Sequence, residues 1–296
     1  MSRKKVTLRI VRSDGAEMTL GNGPWRIVSD GLENWSSVPH SVSGDELPTH
    51  DGGIITSRRV SMVDRTVEAM VEDPKRNAEL RAAAIRFFNP KYDYEAHLTY
   101  MGRTRWCRGV QYAFKVSEGN VYQPAELAWT MLCPNPFLLS ENDFGKDIAE
   151  VAPRFGFPFM SFIKEQSVEG VNSGFVASAR LFSRSVYIRN GGDVPSGVRL
   201  VVKASGNVEN PAVRLGDGWV RLVSSMGAGD VLEIDADSKP PRVALNGENA
   251  MNRLDRNSSI LNLMLPIGGS DIEYTADEGD SNMSVTVYYN EQYLGA

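Results

Sequence analysis

The chain has 296 residues, 42% of them hydrophobic, and a formal net charge of −5; this is more than one core usually organises, so about two domains are expected. Lys and Arg number 19 against 20 Asp and Glu in residues 1–150 and 13 against 17 in the remainder, so neither half has the basic excess that sequence-specific nucleic-acid binding would need. The two cysteines, Cys107 and Cys133, share no ligand spacing with His40, His50 and His97, which argues against a structural metal, and both lie in strand-like runs where a free thiol behaves as a small buried hydrophobe.

In chain order, "MSRKKVTLRI" starts positive but alternates Val, Leu and Ile with Thr and Arg after Val6. That is a first strand, not an export signal. Turns at Asp14-Gly15 and Gly21 and a polar loop from Ser41 to Gly53 follow, and Ile54 to Glu72 reads as one long strand, bulged near Asp64, with Val60, Met62, Val67, Ala69 and Val71 on its buried side. Asp73 and Pro74 open a helix, "KRNAELRAAAIRFF", that Asn89-Pro90 ends. Its apolar face is Leu80, Ala83, Ala84, Phe87 and Phe88. Three strands come next, "EAHLTYMG", "RTRWCRGVQYAFKV" and "PAELAWTMLCP", the last two making a long hairpin through "SEGNVYQ". Pro134 and Pro136 in "CPNPF" cannot donate ladder hydrogen bonds, so the sheet stops there and a domain boundary is set at 138/139.

Residues 139–184, with "FGFPFMSF", give no clear pattern beyond loop and one strand. From Ser185 onward, strands near Tyr187, Leu200, Val213, Val220, Leu232, Val243, Leu263, Ile272 and Val285 are separated by Gly, Asp, Asn and Pro at the short spacing of a β-sandwich. No stretch reaches the roughly 18 consecutive apolar residues of a membrane-spanning helix, so a soluble chain made in a cytoplasm is expected.

A search for chemistry finds none. The Gly-x-Ser-x-Gly of a serine hydrolase does not occur, and "GGIITSRR" and "NGGDVPSG" lack a phosphate-loop lysine and read as hairpin turns. Asp235 and Asp237 in "EIDADS" suit a turn better than a pair of catalytic carboxylates or a calcium loop. No catalytic, cofactor-binding or metal-binding residue is assigned. Trp219 in "GDGWVRL" is a candidate stacking platform for a glycan. Arg58, Arg59, Arg103 and Arg105, together with Tyr112 and Tyr122, are candidates for a subunit-facing sheet edge.

The order long strand, capped helix "DPKRNAELRAAAIRFFNP", hairpin, "CPNPF", "VYIRNGGDVPSGVRLVVKASGNVENPAVRL", "VLEIDAD" and terminal "VTVYYNEQYLGA" resembles the distal tail protein family of long-tailed, siphovirus-type bacteriophages. The most specific matches are Asn190-Gly191-Gly192-Asp193 with Pro195, Asn210-Pro211, Asn246-Gly247 and Tyr293-Leu294-Gly295. The resemblance implies a mainly β fold: an N-terminal β-barrel domain with one helix and a long hairpin, residues 1–138, and a C-terminal galectin-like β-sandwich, residues 139–296. It implies a non-enzymatic structural hub of the tail tip or baseplate, without cofactor, in which six copies form a ring. The ring would join the tail tube protein to the tail-tip protein, with the tape measure and receptor-binding proteins as further partners. DNA would pass through its channel without sequence-specific contact, and no membrane is involved. The implied location is the virion tail tip, after assembly in the bacterial host cytoplasm. The competing reading is a carbohydrate-binding module that recognises host-surface glycans through Trp219. Within the ring reading, residues 1–133 are expected to make the closure, with the hairpin Arg103 to Leu132, turning near Gly119, reaching to a neighbour.

Overall fold

The computed structural model describes residues 6–47, 51–118, 120, 122–141, 144–147, 150–152, 179–181 and 185–296. The "FGFPFMSF" stretch, His50 and the hairpin tip at Gly119 lie outside these residues. The chain divides into two compact units: residues 1–142 with 291–296, and residues 143–290.

The first unit is one nine-stranded antiparallel sheet capped by a helix. Its strands are β1 (Thr7–Arg12), β2 (Glu17–Leu20), β3 (Trp25–Glu33), β6 (Val63–Val71), β7 (Asp93–Tyr100), β8 (Arg103–Val116) and β9 (Glu126–Cys133), in the spatial order β2-β1-β7-β8-β9-β6-β3. The edge strands β2 and β3 are joined by a tight turn in which Gly21 N–H donates to Trp25 O, so the sheet curls round a single core. Gly21 has φ +86, and a Cβ there would lie 2.2 Å from the Val6 carbonyl oxygen, so only glycine fits the corner. The alternation expected of "VTLRI" holds: Leu8 and Ile10 are fully buried.

Helix α1 (Asn77–Phe87) is preceded by a single 3-10 turn, Pro74–Arg76, and Asp73 accepts the Lys75 N–H at its start, as its position before Pro74 predicts. Leu80, Ala84, Phe87 and Phe88 pack into the core, whereas Ala83 is exposed: the buried stripe runs 77, 80, 84, 87 and 83 falls off its edge. Phe88 stacks on Phe114 at 4.9 Å and meets Trp129 at 5.1 Å, while Tyr94 meets Trp129 edge-on at 5.4 Å. Fully burying one such apolar side chain contributes about 1.5–3 kcal/mol, so this aromatic group is a large share of what holds helix to sheet.

Two parts of the first unit depart from expectation. Ser41 to Glu46, expected as loop, is strand, and Ile54 to Glu72 is not one strand. Instead β4 (His40–Glu46) and β5 (Gly53–Val60) form a separate two-stranded ribbon, and the ladder of β6 begins anew at Val63. Val60 and Met62, expected inside, are exposed because they belong to the ribbon and its junction and not to the sheet. Also, the terminal residues return to the first unit. The short strand β10 (Leu138–Ser140) pairs with β20 (Gln292–Tyr293) on one side and β8 on the other. Ala296 N–H donates to Trp35 O at 3.0 Å.

Two larger sheets build the core of the second unit. One holds β11 (Phe144–Asp147), β13 (Ser196–Ala204), β16 (Val231–Asp235), β17 (Arg242–Leu245) and β19 (Met283–Tyr289), in the order β11-β19-β13-β16-β17. The other holds β12 (Ser185–Ile188), β14 (Ala212–Leu215), β15 (Gly218–Arg221) and β18 (Ser270–Thr275), in the order β12-β18-β14-β15. Val198, Leu200, Val202, Ile234, Val285 and Val287 from the first face Ile188, Val213, Leu215, Val220 and Ile272 from the second in one core, which makes a sandwich. The strand centres read from the sequence match these elements, except that Leu263 sits beside a 3-10 turn, Ile260–Asn262, and the two-residue strand Met264–Leu265.

The asparagines among the motifs that carry the resemblance are structural. Buried Asn190 donates to Val194 O at 3.1 Å and Leu265 O at 3.2 Å and accepts from Gly192 N–H at 2.9 Å, which fixes the turn. Asn210 and Asn246 hold φ values of 49 and 52, the left-handed region that asparagine tolerates better than most residues.

Candidate functional site

The ribbon β4–β5 stands apart from both cores of the chain. Its strands pair from His40↔Val60 to Glu46↔Gly53, with an irregularity between Ser43 and Gly44, and among the described residues neither pairs with any other strand. Every residue of both is exposed. Ile54 is 58% exposed and its neighbour Ile55 is 55% exposed; consecutive strand residues point to opposite faces, so both faces carry apolar surface. Val42, Leu47, Val60 and Met62 extend it. A lone two-stranded hairpin is at best marginally stable in water, and an exposed strand edge invites pairing. Charge is segregated along the ribbon, with Asp45, Glu46 and Asp51 towards its tip and Arg58 and Arg59 towards its base. Neither arginine side chain has an ion-pair partner among the described residues.

The other expected interface residues separate into distinct places. Tyr112 is the extra residue of a bulge between Gln111 and Ala113 in the β8–β9 ladder and is 70% exposed; bulges re-aim side chains in this way. Val110, two residues before it, is exposed as well. Tyr122, 92% exposed, sits in the β8–β9 connection, where Asn120 Oδ1 accepts the N–H groups of Tyr122 and Gln123 at 2.8 Å each. Arg103 stands next to the β7–β8 turn beside exposed Tyr100 and Met101. Arg105 has a different role: its guanidinium lies 3.7 Å from the centre of the Tyr293 ring, a cation–π contact that pins the returning C-terminus. Arg108 is ion-paired with Glu95.

Two polar residues that position these surfaces are not among the candidates named from the sequence. Arg65 is fully buried on the inner face of β6, where its guanidinium donates to the carbonyls of Asn34 and, at 2.7 Å, Pro136, and lies over the Trp35 ring at 5.6 Å. It thereby fastens both the segment entering the ribbon and the "CPNPF" stop to the sheet. Asn77 donates to the carbonyls of Asn120 and Gln123 at 2.9 Å each and accepts from Ala125 N–H at 3.0 Å, so the first helical turn holds the connection that carries Tyr122. The signal for Arg65 was there: alternation from Val63 to Val71 puts position 65 inside.

The remaining candidates for chemistry resolve as architecture. Asp235 Oδ1 accepts the N–H groups of Asp237 and Ser238 at 3.1 and 2.9 Å, the local turn expected of it. Cys107 and Cys133 are buried and form no disulfide. Burial pushes the Cys107 thiol up, whereas Cys133 is drawn down, first by its hydrogen bond with Cys107 and then by the Arg65 charge. Among the described residues no cluster of His, Cys, Asp and Glu could hold a metal, and no helix is long and apolar enough to cross a membrane. Trp219 is half-buried on β15.

Comparison with known proteins agrees with this picture. Residues 191–293 match the family model described as the siphovirus-type tail component, C-terminal domain. No curated protein sequence matches the chain. Among solved structures, the Dit protein of phage SPP1, described as a paradigm of hub adsorption apparatus in phages infecting Gram-positive bacteria, is similar at a TM-score of 0.64 and 13% identity, over 97% of this chain and 99% of that one. A chain from the baseplate of phage P2 in its activated conformation with calcium is similar at 0.51 and 10% identity, over 98% and 99%, and one from the strontium form at 0.52 and 10%. At these identities the structural likeness speaks to the fold, and it extends to both units.

Proposed function

We propose that the chain, whose residues 191–293 match the siphovirus-type tail component model and whose fold is similar to that of a Dit protein, is a distal tail protein, six copies of which form a ring at the tail tip, the hub between the tail tube protein and the tail-tip protein. The single observation that carries this reading is the ribbon β4–β5, fifteen strand residues that are all exposed and carry apolar side chains on both faces. An apolar surface with no core of its own chain is one that another chain covers.

In a closed ring each contact joins two different surfaces of the same chain. The ribbon is one of them. The other is the outward patch of β8 with Val110 and Tyr112, and Tyr122 in the β8–β9 connection supplies further exposed aromatic area of the kind that anchors interfaces. Carboxylates at the ribbon tip and Arg58 and Arg59 at its base give the ribbon a polarity that orients it on the neighbour's patch. Arg105 is left out of this joint because Tyr293 occupies it. The first unit thus closes the ring and the sandwich unit presents the periphery to further tail proteins, with assembly in the host cytoplasm. The hub acts through its interfaces and not as an enzyme.

Light scattering and electron microscopy of the purified chain, alone and with tail-tip protein, test this. Six-fold rings are expected for the wild type, and loss of rings with retention of a folded monomer for Ile54→Asp/Ile55→Asp. A strictly monomeric wild type at micromolar concentration, with and without tail-tip protein, contradicts the proposal.

A further inference from the structure

The outer face of the sheet β12-β18-β14-β15 carries a line of side chains that lies outside the joint proposed above. Ser185 stands opposite Glu273, Glu273 opposite Arg214, and Arg214 opposite Trp219, so one row crosses all four strands. Directly opposed residues in an antiparallel sheet share a face, and the alternating residues Ile272, Val213 and Val220 go to the core. The row therefore points away from it. Arg214 and Glu273 are exposed, and Trp219 is half-buried. Together with Thr275 they line a concavity of about 370 Å³.

The charges in this row are unusual in one respect. Arg214 and Glu273 face each other across adjacent strands, where opposite charges ordinarily pair, yet neither makes an ion pair or hydrogen bond among the described residues. In the next row Arg221 is engaged by both Asp255 and Asp277. The first row thus keeps an uncommitted guanidinium and an uncommitted carboxylate on either side of a shallow hollow, with an indole at its end.

We infer that this row is a saccharide-binding site that takes an uncharged pyranose. The indole offers an apolar face to the C–H face of a sugar ring, as large aromatic side chains with a polar handle do for amphipathic partners. The guanidinium is a fork of donors and the carboxylate an acceptor only. Adjacent sugar hydroxyls, each able to donate and accept, satisfy both at once. Charge selects against other small ligands: an anion that reached Arg214 would meet Glu273 and the neighbouring exposed Asp271, and a cation at Glu273 would meet Arg214. The inference is independent of the ring, because every residue in it lies in the sandwich unit.

The test is saturation-transfer NMR on the full chain with the methyl glycosides of glucose, galactose, rhamnose and N-acetylglucosamine as probes, followed by a glycan array. At least one sugar binds, with a millimolar dissociation constant for a single ring, and Arg214→Ala and Trp219→Ala each weaken it about tenfold. Glu273→Gln weakens it less, because the amide still accepts. Arg214→Ala is the decisive variant, since an exposed strand residue is removed without opening the core; its circular dichroism and assembled mass stay those of the wild type. Absence of binding to every probe and array member by the folded wild-type chain overturns the inference. So does sugar binding that is unchanged in Arg214→Ala and Trp219→Ala, or a finding that these variants lose a tail protein while no sugar binds.

Discussion

Residues 53–60 and 63–71 are neighbours in sequence, both strands, both rich in β-branched residues, and opposite in burial. In β6 every second residue from Val63 to Val71 is buried; in β5 none is. Strand propensity is similar in the two because it reflects fit to a pleated surface and not the identity of the chain that supplies the other side. In the proposed ring, the break at Ser61-Met62 separates the ribbon, whose apolar faces another copy would cover, from the sheet, whose inner face is covered within the chain.

That contrast can be broken most sharply by making the same change on both sides of it. Val67→Asp places a charge in the sheet core and should cost about 4 kcal/mol or more, lowering the melting temperature by about 10 °C or more at the 2–4 °C per kcal/mol typical of a unit this size. Ile55→Asp should shift stability by no more than about 0.5 kcal/mol while abolishing rings. Equal destabilisation by the two in a thermal melt of the monomer would show that the ribbon is packed within its own chain.

Next in size is Arg65→Ala, which leaves the buried carbonyls of Asn34 and Pro136 without a donor. About 3 kcal/mol of destabilisation is expected, read as an earlier urea midpoint. A midpoint unchanged from wild type would mean that the guanidinium does not tie these segments down. Asn77→Ala removes three hydrogen bonds to the β8–β9 connection and should cost about 2 kcal/mol. Its fingerprint is local: faster amide exchange at Gln123 and Ala125 with the sheet still protected. Uniform loss of protection would instead assign Asn77 to global stability.

The smallest effect is electrostatic. The Arg12 guanidinium holds the Asp14 carboxyl down at about 2, mainly through their hydrogen bond. A folded-state value below the ordinary 3.8 means that this pair favours the fold above that range and that its contribution is lost as pH falls through about 2. Carboxyl-detected NMR should find Asp14 back near 3.8 in Arg12→Ala. An unchanged titration would assign the depression to the turn's backbone amides.

Much of this was legible from sequence for a physical reason. Strands bounded by Asn-Gly, Asn-Pro and Gly-Gly turns declare themselves because left-handed or locally hydrogen-bonded backbone restricts which residues can stand there, as at Asn190 and Asn246. What long-range pairing decides was not legible. Arg105 reads as an exposed basic residue until Tyr293 arrives from the far end of the chain, and Trp219 reads as a lone aromatic until the registers of β14 and β18 bring Arg214 and Glu273 beside it. The first strand of the ribbon reads as loop because "SVSGDE" lacks an apolar alternation, whereas its second strand reads as part of the long strand from Ile54. A strand with no intrachain face to bury has no reason to show one.

The assembled mass of the chain, measured by light scattering for the wild type and for Ile54→Asp/Ile55→Asp, tests the central claim most directly. The account predicts a wild-type species six times the 32.6 kDa of one chain and a variant that melts like the wild-type monomer but stays at the mass of one chain. Rings that persist in the variant would contradict it, because the ribbon would then not be the joint.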